Sequence, residues 1–138
     1  TKPCITWLKI SFLKHTCSTC LVHRLGTFDD LPRSATYDGI WANFSLLHAP
    51  RDAMPRHLAA IRSALKDGGL FHIGLKLGEG EERDSLGRFY CYYSRDELAD
   101  LLAKAGFDIL SEDVLIEPGL SGVPAPGINI LTRTTPHA

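Results

Sequence analysis

Residues 37–76, YDGIWANFSLLHAPRDAMPRHLAAIRSALKDGGLFHIGLK, read as strand, loop, helix, glycine turn and strand, which is one complete parallel crossover unit. Tyr37–Asn43 is a short apolar run with a β-favouring start. Residues 44–50 form the loop leaving that strand's carboxyl end. Pro55 falls in the first turn of the helix, and Met54, Leu58, Ile61 and Leu65 are spaced to make one apolar stripe. Asp67-Gly68-Gly69 is expected to stop the helix, because glycine takes the positive φ that a helix exit often needs. Residues 70–75 are almost unbroken apolar, the pattern of a strand covered on both faces. Such a crossover is right-handed and sets two parallel strands side by side. The core is therefore α/β, with ligands expected beyond the carboxyl ends of its strands.

Downstream, residues 77–93 make a long connection of the kind that tends to carry function. Gly78-Glu79-Gly80 does not read as a phosphate loop: no helix start follows, and Glu81, Glu82 and Asp84 would repel phosphate. An acidic, mobile lid is expected instead. Arg88, Phe89, Tyr90, Tyr92 and Tyr93 then offer an aromatic, partly polar wall, some of it packing and some lining an acceptor surface. Ser94 with Glu97 three residues later predicts a capping box. The helix it opens buries Leu98, Leu101, Leu102 and Ala105 and ends at Gly106. Residues 107–116 and 128–132 predict a final strand pair, with a Pro- and Gly-rich loop between them that could reach the substrate side.

The 138 residues suit one small domain. Hydrophobic residues at 44% and charged residues at 22% are ordinary for a soluble globular chain. The net charge is −1 and the cations are scattered, which excludes a basic nucleic-acid-binding face. No apolar run is long enough to cross a bilayer. Lys9 and Lys14 break the apolar run of residues 1–22, making it a poor signal peptide, so a cytoplasmic location is expected. The four cysteines are then expected as reduced thiols. His15, Cys17, Cys20 and His23 form H-x-C-x-x-C-x-x-H, and Cys17 and Cys20 could bite one zinc ion. No second ligand pair is visible elsewhere in the sequence, which favours ordinary thiols. Residues 4–13 alternate apolar and polar in short registers, consistent with a strand.

The 37–76 unit resembles the fourth strand, post-strand loop, helix and fifth strand of class I S-adenosylmethionine-dependent methyltransferases. The likeness continues through LGEGEERDSLGRFYCYYS, the helix RDELADLLAKAGF and the closing strand pair, covering residues 23 to about 133. It implies a Rossmann-like methyltransferase fold, mostly parallel with an antiparallel C-terminal strand. It also implies S-adenosylmethionine as cofactor and a small-molecule methyl acceptor. Residues 23–138 would be the C-terminal part of such a domain, and residues 1–22 an atypical segment supplying a replacement strand. The family's glycine-rich loop and ribose-binding acid are missing, since no glycine precedes Gly26 and no Asp or Glu precedes Asp29. A truncated, inactive assembly or regulatory subunit is therefore the competing expectation. Family topology puts two strands between its third and fourth, and without them an edge at Tyr37–Asn43 stays open. Residues 4–13 would fill that gap, or a second copy would cover it in a homodimer.

The same likeness suggests site residues. HRLGTFDD resembles the third strand and its exit loop, placing Thr27 where relatives often carry an adenine-binding acid and Phe28 where it could flank the ring. Asp29 and Asp30 are fallback acids; the bland alternative is a surface turn with one buried Phe. Asn43, Phe44 and Ser45 match positions that touch the cofactor, and Arg88, Tyr90 and Tyr92 are the acceptor-side candidates. His48 could act as a general base. In-line methyl transfer needs alignment above all, which favours a structural His48 tying the loop to the helix start. His72 is expected to pack and His57 to be solvated. Thr27 and Asn43, each leaving a parallel strand, are expected to border one hollow able to hold an adenosyl group.

Overall fold

A computed structural model describes residues 8–13, 21–118 and 124–136 of the chain. Strands β1 (Leu8–Leu13) and β2 (Leu21–Gly26) come first and pair antiparallel with each other. Strand β3 (Tyr37–Asn43), helix α1 (Met54–Ala64) and strand β4 (Leu65–Lys76) form the crossover, with β3 and β4 parallel. A hairpin of β5 (Glu81–Arg83) and β6 (Phe89–Cys91) follows, then helix α2 (Arg95–Ala105). Strands β7 (Phe107–Pro118) and β8 (Pro124–Thr134) close the chain. The main sheet has the order β3-β4-β8-β7, with β8 antiparallel to both of its neighbours. The parallel pair and the antiparallel C-terminal strand make the Rossmann-like α/β sheet that the sequence implied.

One core lies between this sheet and the two helices. Met54, Leu58 and Ile61 of α1, with Leu65 beyond its end, are almost fully buried, as the stripe required. They meet Phe71, Ile73 and Leu75 of β4, Ile128 and Ile130 of β8, and Leu98 and Leu102 of α2. Each such side chain contributes roughly 1.5–3 kcal/mol by leaving water. The opposite face carries Gly39, Trp41 and Asn43 of β3, Leu70, His72 and Gly74 of β4, and Asn129, Leu131 and Arg133 of β8. Both helices send their stripes to the core face. Within β4, residues 71–75 are buried on both faces, as the apolar run had suggested, with His72 lying against the Trp41 ring; Leu70, at the start of the run, is not. Trp41 is 70% exposed and Leu70 38%.

Several boundaries differ from the sequence reading for identifiable reasons. Helix α1 stops at Ala64, because Leu65 is already extended (φ −90°, ψ 140°) and pairs with Tyr37. Residues 66–69 then loop out before Leu70 pairs with Gly39. Gly68 (φ 76°) and Gly69 serve that bulge rather than the helix exit; a Cβ on Gly69 would lie 2.8 Å from the Lys66 carbonyl oxygen. The capping box at α2 is half formed. Ser94 Oγ accepts from the Glu97 N–H at 3.1 Å, but the Glu97 carboxylate turns to Arg51. Gly106, at φ 93°, ends α2 as expected.

The acidic lid is instead an ordered hairpin. Asp84 Oδ1 accepts from the Leu86 and Arg88 N–H groups and Asp84 Oδ2 from Arg88 Nε, fixing the turn. The returning strand buries Tyr90, Cys91 and Tyr93, and Tyr93 bridges to Leu77 beside the end of β4. Strands β7 and β8 run into the Pro- and Gly-rich stretch that had been expected as a loop, and residues 119–123 at its middle lie outside the described residues. Strand β1 appears where residues 4–13 were expected to form one, yet its ladder is with β2, not with β3. Pairing with a near neighbour in sequence closes a shorter loop, which costs less entropy. His15, Cys17 and Cys20 lie outside the described residues. No helix among the described residues is long and apolar enough to cross a membrane.

Candidate functional site at the carboxyl end of the parallel strands

Where β3 ends, the chain is held in an unusual conformation. Phe44 has φ 52°, the only non-glycine residue with positive φ among those described. Such strain persists only where surrounding structure fixes it, and it concentrates at functional sites. The Phe44 N–H donates to the Gly74 carbonyl at 2.9 Å, carrying the parallel pairing one residue beyond β3. Asn43, Gly74 and Asn129 lie in one row across three strands. The missing side chain at Gly74 lets its neighbours close in: a Cβ there would sit 2.3 Å from Asn43 Oδ1 and 2.8 Å from Asn129 Oδ1. Asn129 Oδ1 and Ser45 Oγ are buried without a protein partner. Buried polar atoms are nearly always satisfied, so such orphans at the ends of these strands mark a place suited to an outside partner. Asn43 Oδ1 also lies 3.4 Å from His72 Nε2, and His72 stacks on Trp41 with ring centroids 3.6 Å apart. His72 therefore packs, as expected.

The acceptor-side candidates gather around His48. Its Nδ1–H donates to the Phe89 carbonyl at 2.7 Å, which leaves Nε2 as the lone-pair nitrogen. The histidine is thus tied to β6 and not to the helix start. The Tyr90 ring lies 4.9 Å from His48, with Lys76 Nζ 4.6 Å and the Arg88 guanidinium 5.5 Å from its centroid. Arg88 is neutralised by Asp84 at 2.5 Å. Tyr92 lies nearly parallel to Tyr90 at 6.3 Å and donates its hydroxyl to Glu82 at 2.5 Å. Burial and that bond push the Tyr92 phenol up to about 12.

Thr27 and Phe28 are engaged by their own turn and by α1. Thr27 caps a short turn, Phe28–Asp30, accepting from the Asp29 N–H at 3.2 Å while its own N–H donates to Asp30 Oδ2 at 2.7 Å. Phe28 is buried against His57 of α1, ring centroids 5.2 Å apart, and Asp29 pairs with Arg56 at 3.1 Å. These contacts tie the turn to α1 and match the bland reading of a turn with one buried Phe. β2 belongs to the β1–β2 sheet, so Thr27 and Asn43 do not leave neighbouring parallel strands. His57 is not solvated but buried, with Nδ1 unpartnered. Helix spacing sets it one turn from both Met54 and Ile61, on the flank of the buried stripe, where Phe28 covers it.

Burial holds His57 and His72 below the ordinary imidazole value. As pH falls through about 6.5, the unfolded chain takes up protons that the folded chain refuses. Their contribution is therefore full above that pH and is lost as pH falls below it, by at most about 1.4 kcal/mol per pH unit for each group. The urea midpoint is expected to be lower at pH 5.5 than at pH 7.5, and His57→Phe to remove part of that slope. Equal slopes in wild type and variant would show that His57 does not carry it.

Gly74, Asn129 and Lys76 were not read as site residues. A lone glycine inside FHIGLK is the available signal for Gly74, since glycine within a strand often marks close approach. Asn129 is the polar break in an apolar run, but its register against Gly74 needs the fold.

A parallel β3–β4 pair continued by antiparallel β8 and then β7 is a class I S-adenosylmethionine methyltransferase-like fold, and solved structures agree. A Burkholderia thailandensis 1,6-didemethyltoxoflavin-N1-methyltransferase, solved with 1,6-didemethyltoxoflavin and S-adenosylhomocysteine bound, matches with TM-score 0.68 and 25% identity over 80% of this chain and 49% of its own. An S-adenosylmethionine-dependent methyltransferase from Methanosarcina mazei matches with TM-score 0.70 and 16% identity, covering 81% of this chain and 66% of its own. The cyclase SpnF also matches, with TM-score 0.61 and 19% identity over 81% of this chain and 55% of its own. The chain thus spans about half to two thirds of the length of these structures. No protein-family model and no curated protein matches the sequence.

Proposed function

We propose that this chain takes part in S-adenosylmethionine-dependent methyl transfer to a small-molecule acceptor, in the cytoplasm. The observation that carries the reading is the Asn43–Gly74–Asn129 row at the carboxyl end of the parallel pair, with Asn129 Oδ1 in that row and Ser45 Oγ just past β3 both buried and unpartnered. These atoms suit the amino, carboxylate and hydroxyl groups of the cofactor. When bound, the cofactor supplies a sulfonium methyl group as electrophile. Asn43 and Ser45 orient it through hydrogen bonds, with Phe44 as an apolar wall. His48 Nε2 is available to hold an acceptor's proton, and Arg88, Tyr90 and Tyr92 bound the acceptor side. Described arginines are largely paired with carboxylates, as in Arg51–Glu97, Arg56–Asp29 and Arg95–Glu112, which favours a small acceptor over nucleic acid.

A second reading, a methyltransferase-fold scaffold without catalysis, is favoured by Thr27 and Phe28, whose hydroxyl and ring are already committed internally. Calorimetry with S-adenosylhomocysteine separates the two. Saturable one-to-one binding is expected; no heat at about 1 mM ligand, an affinity worth only about 4 kcal/mol, supports the scaffold.

A further inference from the structure

The cations near the site differ in what holds them. Arg88 is bound to Asp84, Arg51 to Glu97 and Arg95 to Glu112. Lys76, the half-buried last residue of β4, enters no ion pair among the described residues. Its ammonium lies 4.6 Å from the centroid of the Tyr90 ring, a contact that holds the group in place but supplies no negative charge. Both ends of the side chain are fixed. Lys76 stands two residues beyond Gly74, on the same face of β4. Gly127 lies opposite it in β8, and opposed residues of an antiparallel pair share a face. The Phe44 ring covers that glycine, with Cζ 3.5 Å from where a Cβ would be. The Lys76 stem thus leaves the sheet on the Phe44 side and ends at Tyr90, which is buried and packed on His48. One side chain spans from the cofactor candidates to the acceptor wall.

We propose that Lys76 sets the substrate class of the acceptor side: it receives the carboxylate of a small, planar acid. The proposal rests on the methyl-transfer reading above. Other polar groups of the wall are already engaged. Tyr92 donates its hydroxyl to Glu82, His48 Nδ1–H donates to the Phe89 carbonyl, and Arg88 donates to Asp84. A neutral or cationic acceptor leaves the Lys76 ammonium without a counter-charge. A carboxylate pairs with it in a half-buried place, where attraction is screened less than on the open surface. The rings of Phe44, Tyr90 and Tyr92 suit a flat acceptor better than a branched aliphatic one. S-adenosylhomocysteine also carries a carboxylate, so the test separates the two sources of that group.

The probes are 4-hydroxybenzoate and 4-hydroxybenzamide, which share a shape and differ in charge. Each is titrated into the full chain at neutral pH, to about 10 mM, with and without S-adenosylhomocysteine, and binding is read by ligand-observed NMR. The acid is expected to bind about tenfold tighter than the amide. Lys76→Met keeps the apolar stem and should abolish that difference, whereas Lys76→Arg keeps the charge and should retain most of it. Affinity for S-adenosylhomocysteine should change less than about twofold in Lys76→Met. No binding of the acid, equal affinity for acid and amide, or a preference that survives Lys76→Met would each overturn the proposal. Loss of S-adenosylhomocysteine from Lys76→Met would overturn it too, by assigning Lys76 to the cofactor's carboxylate. Failure of the methyl-transfer reading looks different: the wild-type chain then does not bind S-adenosylhomocysteine, and the acceptor role falls with it even where Lys76 still selects the acid.

Discussion

Gly74→Ala is expected to weaken S-adenosylhomocysteine binding by roughly thirtyfold, about 2 kcal/mol, while leaving the fold in place. The added Cβ would stand 2.3 Å from Asn43 Oδ1 and 2.8 Å from Asn129 Oδ1. Both atoms end side chains and neither belongs to the backbone, so the chain can yield by swinging the exposed Asn43 amide outward. That movement takes the amide out of the row, and the methyl group occupies the space it held. The stability change should stay within about 1 kcal/mol, since alanine gains backbone rigidity over glycine and offsets part of the crowding. Calorimetry and a thermal melt on the same sample check both halves. Unchanged affinity would take the Asn43–Gly74–Asn129 row out of the cofactor site. Loss of the fold would show the close approach over Gly74 to be a packing requirement.

What could be read from the sequence and what could not divides along the range of the interactions. The β3–α1–β4 crossover was legible because its signals are local: the Met54, Leu58, Ile61 stripe, Pro55 in the first turn and an apolar strand after two glycines. Its exact joint was not, because Leu65 satisfies a helix stripe and a buried strand equally well. Asn43, Phe44 and Ser45 became candidates by following the strand to its end. Their partners Gly74 and Asn129 depend on register across three strands, which no local pattern encodes. The 77–93 segment was read from its acids, whereas its aromatic return strand decided the outcome by burying Tyr90 and Tyr93. Thr27 was assigned by family likeness alone. In the structure a competing local interaction, the capping of its own turn, takes up its hydroxyl. Expectations drawn from composition about charge and membranes were coarse, and they stay coarse.

Arg51→Met is expected to lower stability by about 2 kcal/mol, a fall in melting temperature of about 6–8 °C for a chain of this size. Arg51 joins segments far apart in sequence. Its guanidinium donates to the Glu97 carboxylate on α2 and to the Tyr92 carbonyl, and it lies over the Tyr93 ring at 4.6 Å. Its backbone N–H donates to Glu81 of β5 at 3.0 Å. The ion pair itself accounts for the smaller share, because the Arg51 and Glu97 side chains are 35% and 39% exposed and an exposed pair contributes about 1 kcal/mol at most. The rest comes from the Tyr92 carbonyl, which loses its donor, and from the uncovered Tyr93 ring. Arg51→Lys separates these contributions, since an ammonium can meet Glu97 but cannot also present a planar fork to the carbonyl and the ring. Lysine should recover less than half of the loss. Amide exchange gives the local readout: the Gly78 and Tyr92 N–H groups, bonded to the Tyr93 and Gly80 carbonyls, should exchange faster in the methionine variant than amides at the centre of β4. If those amides keep their protection while the melting temperature falls, Arg51 steadies α2 alone, and the β5–β6 hairpin is held by its own buried aromatics.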